Sequence, residues 1–344
     1  MTRKSNRLFT VFAILIIFSF VLAACGPREE EKTTVVIYTA KEPDEVAEFI
    51  PVAQAALPNY TLDVLRLSTG DLTARLLAEK DNPQADVIWG TAVTSMMIFM
   101  NEGMLEAYAP KGWGDILPIF KDDNDPPYWV GVDGYVNAVI CNTFLMDEKG
   151  LSMPQTWEDL LDPAFEGSFL MPNPASSGTG FMFVSSILQG MGEDAGFDYL
   201  RNLDRSMAMY TKSGSAPARM AAAGEFPCAI SFAFVGAGLI ADGAPVEMVV
   251  PQRTGWEMEV NALMKGANNP AGGKAFLDWA ISDEAFDLYS KYFGVLAKPG
   301  FDTPPGIPAD IADRLYDMDF NWSMQNREQI LAKWLNLFEE KAQE

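Results

Sequence analysis

The sequence predicts an α/β fold in two lobes, on three observations. Strand-like β-branched runs alternate with helix-period runs from residue 34 to residue 101, the order that gives a largely parallel sheet with helices on both faces. Once an N-terminal leader is set aside, roughly 320 of the 344 residues remain, enough for two lobes of ordinary domain size. Hydrophobic residues make up 49% of the chain, so a large packed core is available.

The first strand covers 34–39 and is rich in Thr, Val and Ile. A helix follows with Val46, Phe49, Ile50, Ala53 and Leu57 on one face, and Pro58 ends it. Residues 61–67 read as a second strand, 71–80 as a helix, 85–89 as a third, apolar strand, and 91–101 as a helix again. The pattern changes in the polar, proline-rich turn at 122–127. A strand is expected over 134–142, then alternating turn and helix signals over 156–190. Further strands are expected over 207–211, 228–232 and 246–250. From 261 the chain returns to helices, over 270–281 and then 283–293 with Ser282 as N-cap. The last helix, 326–341, is amphipathic through Ile330, Leu331, Trp334, Leu335 and Phe338. These elements divide into a first lobe over 33–133 with a return segment over 251–295, a second lobe over 134–250, and C-terminal helices over 296–344 packing across both. No internal repeat or low-complexity segment interrupts them.

The leader has its own chemistry. Arg3, Lys4 and Arg7 precede a largely apolar run over 8–21, and Leu22-Ala23-Ala24-Cys25 follows. Cationic start, short apolar run and small residues form a secretory signal over 1–24. Fourteen residues fall short of the ~20 that span a bilayer. The tetrad resembles the lipobox of bacterial lipoproteins. That resemblance implies diacylglycerol on the Cys25 sulfur and an extracytoplasmic protein held to the membrane by lipid alone, with 25–32 as an acidic tether. No second uncharged apolar run of about 18 residues occurs, so no membrane span is expected.

Composition removes several function classes. The net charge is −22, and losing the three basic residues of the signal makes it −25. Such a chain repels nucleic acid and anionic lipid surfaces. A small anion stays possible, because a few oriented N–H groups outweigh a distant net charge. There is no histidine, so neither a Ser-His-Asp nor a Cys-His engine can form. Cys141 and Cys228 lie in apolar, strand-like runs and read as buried free thiols, although an exported chain permits a disulfide. No cofactor and no resident metal are expected.

Three turns share one chemistry. Ser68-Thr69-Gly70 lies between a strand and a helix, and Ser176-Ser177-Gly178-Thr179-Gly180 opens a helix that begins near Phe181. Ser213-Gly214-Ser215 precedes Pro217, a favourable first-turn residue for a helix running to Ala223. Each offers hydroxyls and unpaired N–H groups at a helix start, where negative charge is favoured. Serine and threonine are also ordinary N-caps, so the coincidence of three such turns carries the reading. Tyr38, Trp89, Tyr135, Tyr210 and Trp256 read as lying at strand ends or in loops, with Glu42 and Glu257 close to two of them. A carboxylate beside an aromatic face suits an ammonium group.

Several stretches resemble the 2-aminoethylphosphonate-binding proteins of ABC importers. They are Ser68-Thr69-Gly70, Leu76-Leu77-Ala78-Glu79-Lys80, Ala85-Asp86-Val87-Ile88-Trp89-Gly90 and the run from Met171 to Gly180. Tyr210-Thr211-Lys212-Ser213-Gly214-Ser215-Ala216-Pro217, Gly255-Trp256-Glu257 and Asn326-Arg327 extend the likeness over nearly all of the mature chain. The resemblance implies a two-lobed type II periplasmic-binding-protein fold, with each lobe a mostly parallel sheet flanked by helices and the ligand in the cleft. It implies an anion site of Ser68, Thr69, Gly70, Ser176, Ser177, Gly178, Thr179, Tyr210, Ser213, Gly214 and Ser215. An amine would fall to Tyr38, Glu42, Trp89, Tyr135, Trp256 and Glu257. The expected partners are a small phosphonate and ABC permease subunits, with the chain a monomer. Lys212 stands where close relatives are expected to carry histidine; inside the cleft it would favour a more anionic ligand.

Ferric ion is the main rival ligand, since ferric binders share the layout. They often use adjacent tyrosines, whereas the nearest pair here, Tyr289 and Tyr292, is separated on a predicted helix. Sugar phosphates and inorganic oxyanions stay open. A secreted hydrolase using paired carboxylates and a ligand-presenting sensor are the alternatives of a different class.

Overall fold

The computed structural model describes residues 33–342; the signal, Cys25 and the 26–32 tether lie outside the described residues. The chain begins with β1 (Thr33–Thr39), α1 (Pro43–Ala56), β2 (Tyr60–Arg66), α2 (Thr69–Ala78), β3 (Val87–Ala92) and α3 (Val93–Asn101). This is the alternation legible in the sequence. Every residue of β3 is buried, as expected of a strand covered on both faces.

After the two-residue β4 (Leu105–Glu106), β5 (Val130–Asn142) runs thirteen buried residues through the middle of the molecule. The second half follows: α4 (Thr143–Lys149), β6 (Phe169–Pro172), α5 (Gly178–Met191), α6 (Glu193–Leu203), β7 (Met207–Thr211), α7 (Ala216–Ala222), β8 (Cys228–Phe232), α8 (Ala233–Ala241) and β9 (Val246–Val249). β10 (Trp256–Met264) returns to the first half. It is followed by α9 (Pro270–Ala280), α10 (Asp283–Tyr289), β11 (Val295–Leu296) and α11 (Phe320–Phe338). Ser282 caps α10 as expected, its hydroxyl accepting the Ala285 N–H at 3.3 Å.

The strands form one sheet in the order β2-β1-β3-β10-β5-β8-β6-β7. Its directions refine the expectation of a mostly parallel sheet. β1 and β3 are parallel, as are β6 with β7 and β6 with β8. β10 is antiparallel to β3 and β5, and β5 is antiparallel to β8 and β9. The two lobes are thus parallel within themselves and joined by antiparallel crossover strands. Residues 130–136 of β5 face β10, while 137–142 face β8 and β9. One core gathers around Phe49, Trp89, Phe276 and Phe286, the other around Phe169, Phe183, Phe197 and Trp334.

Two sequence readings need correction. β10 is absent from the sequence analysis because its alternate residues Glu257, Glu259 and Asn261 are polar, yet all three are buried. Cys141 and Cys228 are not free thiols. They are direct cross-strand partners of β5 and β8, and a disulfide joins them.

Lys41 is fully buried where β1 passes into α1. Gly90 makes room for it: at φ +60° without a side chain, it lets the lysine stem pass where a Cβ would stand 2.5 Å from it. The ammonium meets Glu45 of α1 at 3.0 Å, Asp133 of β5 at 3.2 Å, and Glu259 of β10. Burial opposes its charge, but Asp133, Glu259 and Glu45 outweigh burial and hold the ammonium well above its ordinary range. That contribution to stability is present below the ordinary lysine value and lost only as pH rises through the raised one.

Burial pushes the Glu45 carboxyl up to about 7 against the pull of Lys41, and burial with Glu259 pushes Asp133 well up. Lys41→Met strands these acids without a cation and is expected to cost about 3–5 kcal/mol near neutral pH. Carboxyls raised in the fold bind more protons folded than unfolded, so the variant loses stability as pH rises. Urea unfolding at about pH 5 and pH 8 checks this. A larger loss at pH 8 is expected; equal losses at both would contradict it.

Candidate functional site

The site grows from helix starts that the fold turns toward one another. The first N–H groups of any helix lack partners within it. Ser68 precedes α2, and its carbonyl accepts the Leu72 N–H at 2.8 Å. Ser177 precedes α5, and its carbonyl accepts the Phe181 N–H at 3.1 Å. The two starts face each other across the lobes. The Gly70 N–H donates to the Ser176 carbonyl at 3.0 Å, and a Cβ on Gly178 would stand 2.9 Å from Thr69 Oγ1 and 3.2 Å from the Tyr135 hydroxyl.

The third turn closes the other flank. A Cβ on Gly214 would collide with Thr179 Oγ1. The Ser215 hydroxyl donates to Glu42 Oε2 at 2.7 Å, and Arg66 holds Glu42 Oε1 at 3.0 Å. α7, which this turn opens, has only seven residues, so its dipole adds little. Ser176 donates to the Lys212 carbonyl at 2.8 Å. The Lys212 ammonium lies 3.6 Å from Asp71, with both side chains about half exposed, so it spans the rim of the closed lobes.

Behind these turns the crossover strands present a polar face. Tyr135 stands opposite Glu257, and its hydroxyl donates to Glu257 Oε2 at 3.2 Å. Glu257 Oε1 accepts the Thr94 N–H at the start of α3, at 2.9 Å. Burial pushes the Glu257 carboxyl up, although hydrogen bonds from Thr94, the positive charge of Arg327 and the Tyr135 hydroxyl resist. Burial and Glu257 together push the Tyr135 phenol well up, so it stays a neutral donor. Asn137 Nδ2 donates to the Thr179 carbonyl at 3.3 Å. Three buried polar atoms around this face have no hydrogen-bond partner among the described residues: Asn137 Oδ1, Thr179 Oγ1 and Arg327 Nη1. Unpaired buried polar atoms are costly, so a cluster of them marks a place built for something else to complete.

The structure therefore brings together Ser68, Thr69, Gly70, Ser176, Ser177, Gly178, Thr179, Ser213, Gly214 and Ser215, with buried Glu42 against Ser215 on one flank and Tyr135 and Glu257 behind. It does not bring Tyr210, Tyr38, Trp89 or Trp256 there. The Tyr210 hydroxyl donates to Asp204 at 2.7 Å, and its ring packs on Trp334. The Tyr38 hydroxyl lies between Glu79 and Arg75 of the α2 end. The Trp89 indole donates to the Tyr289 hydroxyl among Phe49 and Phe276. Trp256 donates to the Tyr316 carbonyl and packs on Phe120 and Phe320, on the face of β10 opposite Glu257. These aromatics fill the cores, where their area stabilises most.

Thr94 and Asn137 are not singled out in the sequence, and Arg327 enters only through the resemblance of Asn326-Arg327, with no role in the site. Asn137 shares a two-residue period with Asp133 and Tyr135, and Arg327 interrupts the buried stripe of α11; both patterns are visible in the sequence.

The family model described as bacterial extracellular solute-binding protein matches residues 82–321. The chain is 30% identical over 285 residues to an uncharacterized protein of Haemophilus influenzae, covering 79% of this chain and 81% of that one. It is 26% identical over 340 residues to the probable ABC transporter periplasmic-binding protein y4fP of Sinorhizobium fredii, covering 93% and 89%. Among solved structures it is similar to the periplasmic binding protein AfuA of Actinobacillus pleuropneumoniae, which has exogenous fructose-6-phosphate bound. The TM-score is 0.84 at 30% identity, covering 90% of this chain and 99% of that one.

The facing of the two helix starts yields a test. Gly70 lies in the first turn of α2, where alanine is locally favourable, yet its Cβ would collide with the Ala175 carbonyl across the lobes. Gly70→Ala is expected to leave thermal stability nearly unchanged and to hold the lobes apart. Small-angle scattering should then give a larger radius of gyration than for the parent chain; equal radii would contradict the contact.

Proposed function

The chain belongs to the bacterial extracellular solute-binding protein family, and from that premise we propose that it captures a small organic phosphate or phosphonate and delivers it to the permease of an ABC importer. The start of α5 carries this reading. Its first residue, Gly178, closely approaches Thr69 and Tyr135, and the unpartnered Thr179 Oγ1 lies beside it. A tetrahedral PO3 group has acceptors on every oxygen and needs donors from several directions, which helix starts from both lobes supply.

The body of the ligand is read from the acids. 2-Aminoethylphosphonate needs a carboxylate for its ammonium, and Glu42 and Glu257 both have protein partners. A phosphorylated sugar offers the same head with neutral hydroxyls, and AfuA has fructose-6-phosphate bound. We therefore rank the sugar phosphate ahead of the aminophosphonate. Ferric ion fits less well, because it prefers anionic oxygens and the Tyr135 phenol is held neutral. Delivery to an ABC permease follows the relation to y4fP. Lipid on Cys25 would keep the protein beside that permease; intact mass with and without Cys25→Ser tests the modification.

Calorimetric titration of the purified protein is expected to show binding of fructose 6-phosphate, weaker binding of 2-aminoethylphosphonate, and none of fructose or ferric ion. Tight ferric binding with silence from both phosphorus compounds would sink the assignment. Replacing Ser177 and Thr179 together by alanine is expected to weaken the phosphate ester by about 3–6 kcal/mol, one charged hydrogen bond each. Unchanged affinity would remove the start of α5 from the site.

A further inference from the structure

Arg327 carries a full charge in a place where helices otherwise pack through apolar or small side chains. Ser323, Ile330, Trp334 and Phe338 complete the buried stripe of α11. The guanidinium lies 4.1 Å from the ring centre of Phe181, in the first turn of α5. Its Nη1 is buried and, among the described residues, has no hydrogen-bond partner. Glu257 attracts it from β10, with a smaller effect of Tyr135 from β5. Neither offers a contact that takes up Nη1. A buried arginine held this way is costly unless an anion completes it.

We propose that Arg327 is the residue that makes the site select a doubly charged phosphoryl head over singly charged or neutral ones. The inference rests on the reading of the site as one for a phosphoryl anion. Burial biases the Glu257 carboxyl toward its neutral form, so an incoming dianion meets the Arg327 guanidinium together with the first-turn N–H groups of α5. The planar fork of arginine matches two phosphate oxygens at once, which a point charge cannot do. A sulfate ester has nearly the same shape and half the charge, so it isolates the charge term. The C-terminal helix then serves as part of the ligand site as well as a strap.

The test titrates fructose 6-phosphate and fructose 6-sulfate into the parent protein, Arg327→Gln and Arg327→Lys, with thermal melting of each alone. The parent is expected to prefer the phosphate. Arg327→Gln is expected to lose roughly 10- to 100-fold in affinity for the phosphate and far less for the sulfate, so the preference collapses. Arg327→Lys is expected to keep the preference and lose several-fold in affinity, and it decides the matter if the glutamine variant does not fold. Equal losses for both ligands, or no loss in a folded variant, would overturn the proposal. A parent protein that binds neither ester overturns the reading of the site itself, and this inference with it.

Discussion

Lys41 brings a positive charge to a position with no solvent exposure, and three carboxyl groups from three elements come with it: Glu45 of α1, Asp133 of β5 and Glu259 of β10. Four aromatic rings box the ammonium, with Tyr289 and Phe293 each 4.8 Å from it and Phe49 and Trp89 each 5.8 Å away. A buried charge cluster is a poor source of stability compared with apolar packing, but it is intolerant of any other arrangement. It therefore pins the first helix to both crossover strands. Asp133 faces Glu259 in the antiparallel register, and the next pair on the same face, two residues along, is Tyr135 with Glu257. The strand period thus carries the position of the buried lysine directly to the back wall of the site.

The rest of the site follows from closure. β5 and β10 hold the two lobes at one place and leave the helix starts free to meet in front of it. Small contacts bring them together: Gly70 with Ser176, Ser215 with Glu42, and Arg219 with Asp44 at 2.6 Å. The last pair is half exposed and contributes at most about 1 kcal/mol. Closure held by such weak contacts is readily biased by a ligand that bridges the lobes, which is what a capture protein requires.

The alternation through residue 101 was legible because its strands are apolar and its helices periodic. The three Ser/Thr/Gly turns were legible for a local reason too, since a helix start needs those residue types. β10 was not, because its buried acids look like a solvated face until Lys41 and Thr94 supply their partners. The aromatics misled in the opposite direction: Trp89 and Tyr210 sit next to turn sequences, but their rings face the cores. Arg327 lies 148 residues beyond Thr179, and no local pattern connects them. The disulfide likewise depends on β5 and β8 being neighbours, a fact of topology rather than of either strand.

A crystal structure of the protein with fructose 6-phosphate is the deciding measurement. The phosphate oxygens are expected within hydrogen-bonding distance, ~2.7–3.2 Å, of the N–H groups that open α5, with Thr179 Oγ1 and Arg327 completing the shell. A ligand bound with its phosphate in solvent, or with its head held away from both α5 and Arg327, would contradict it.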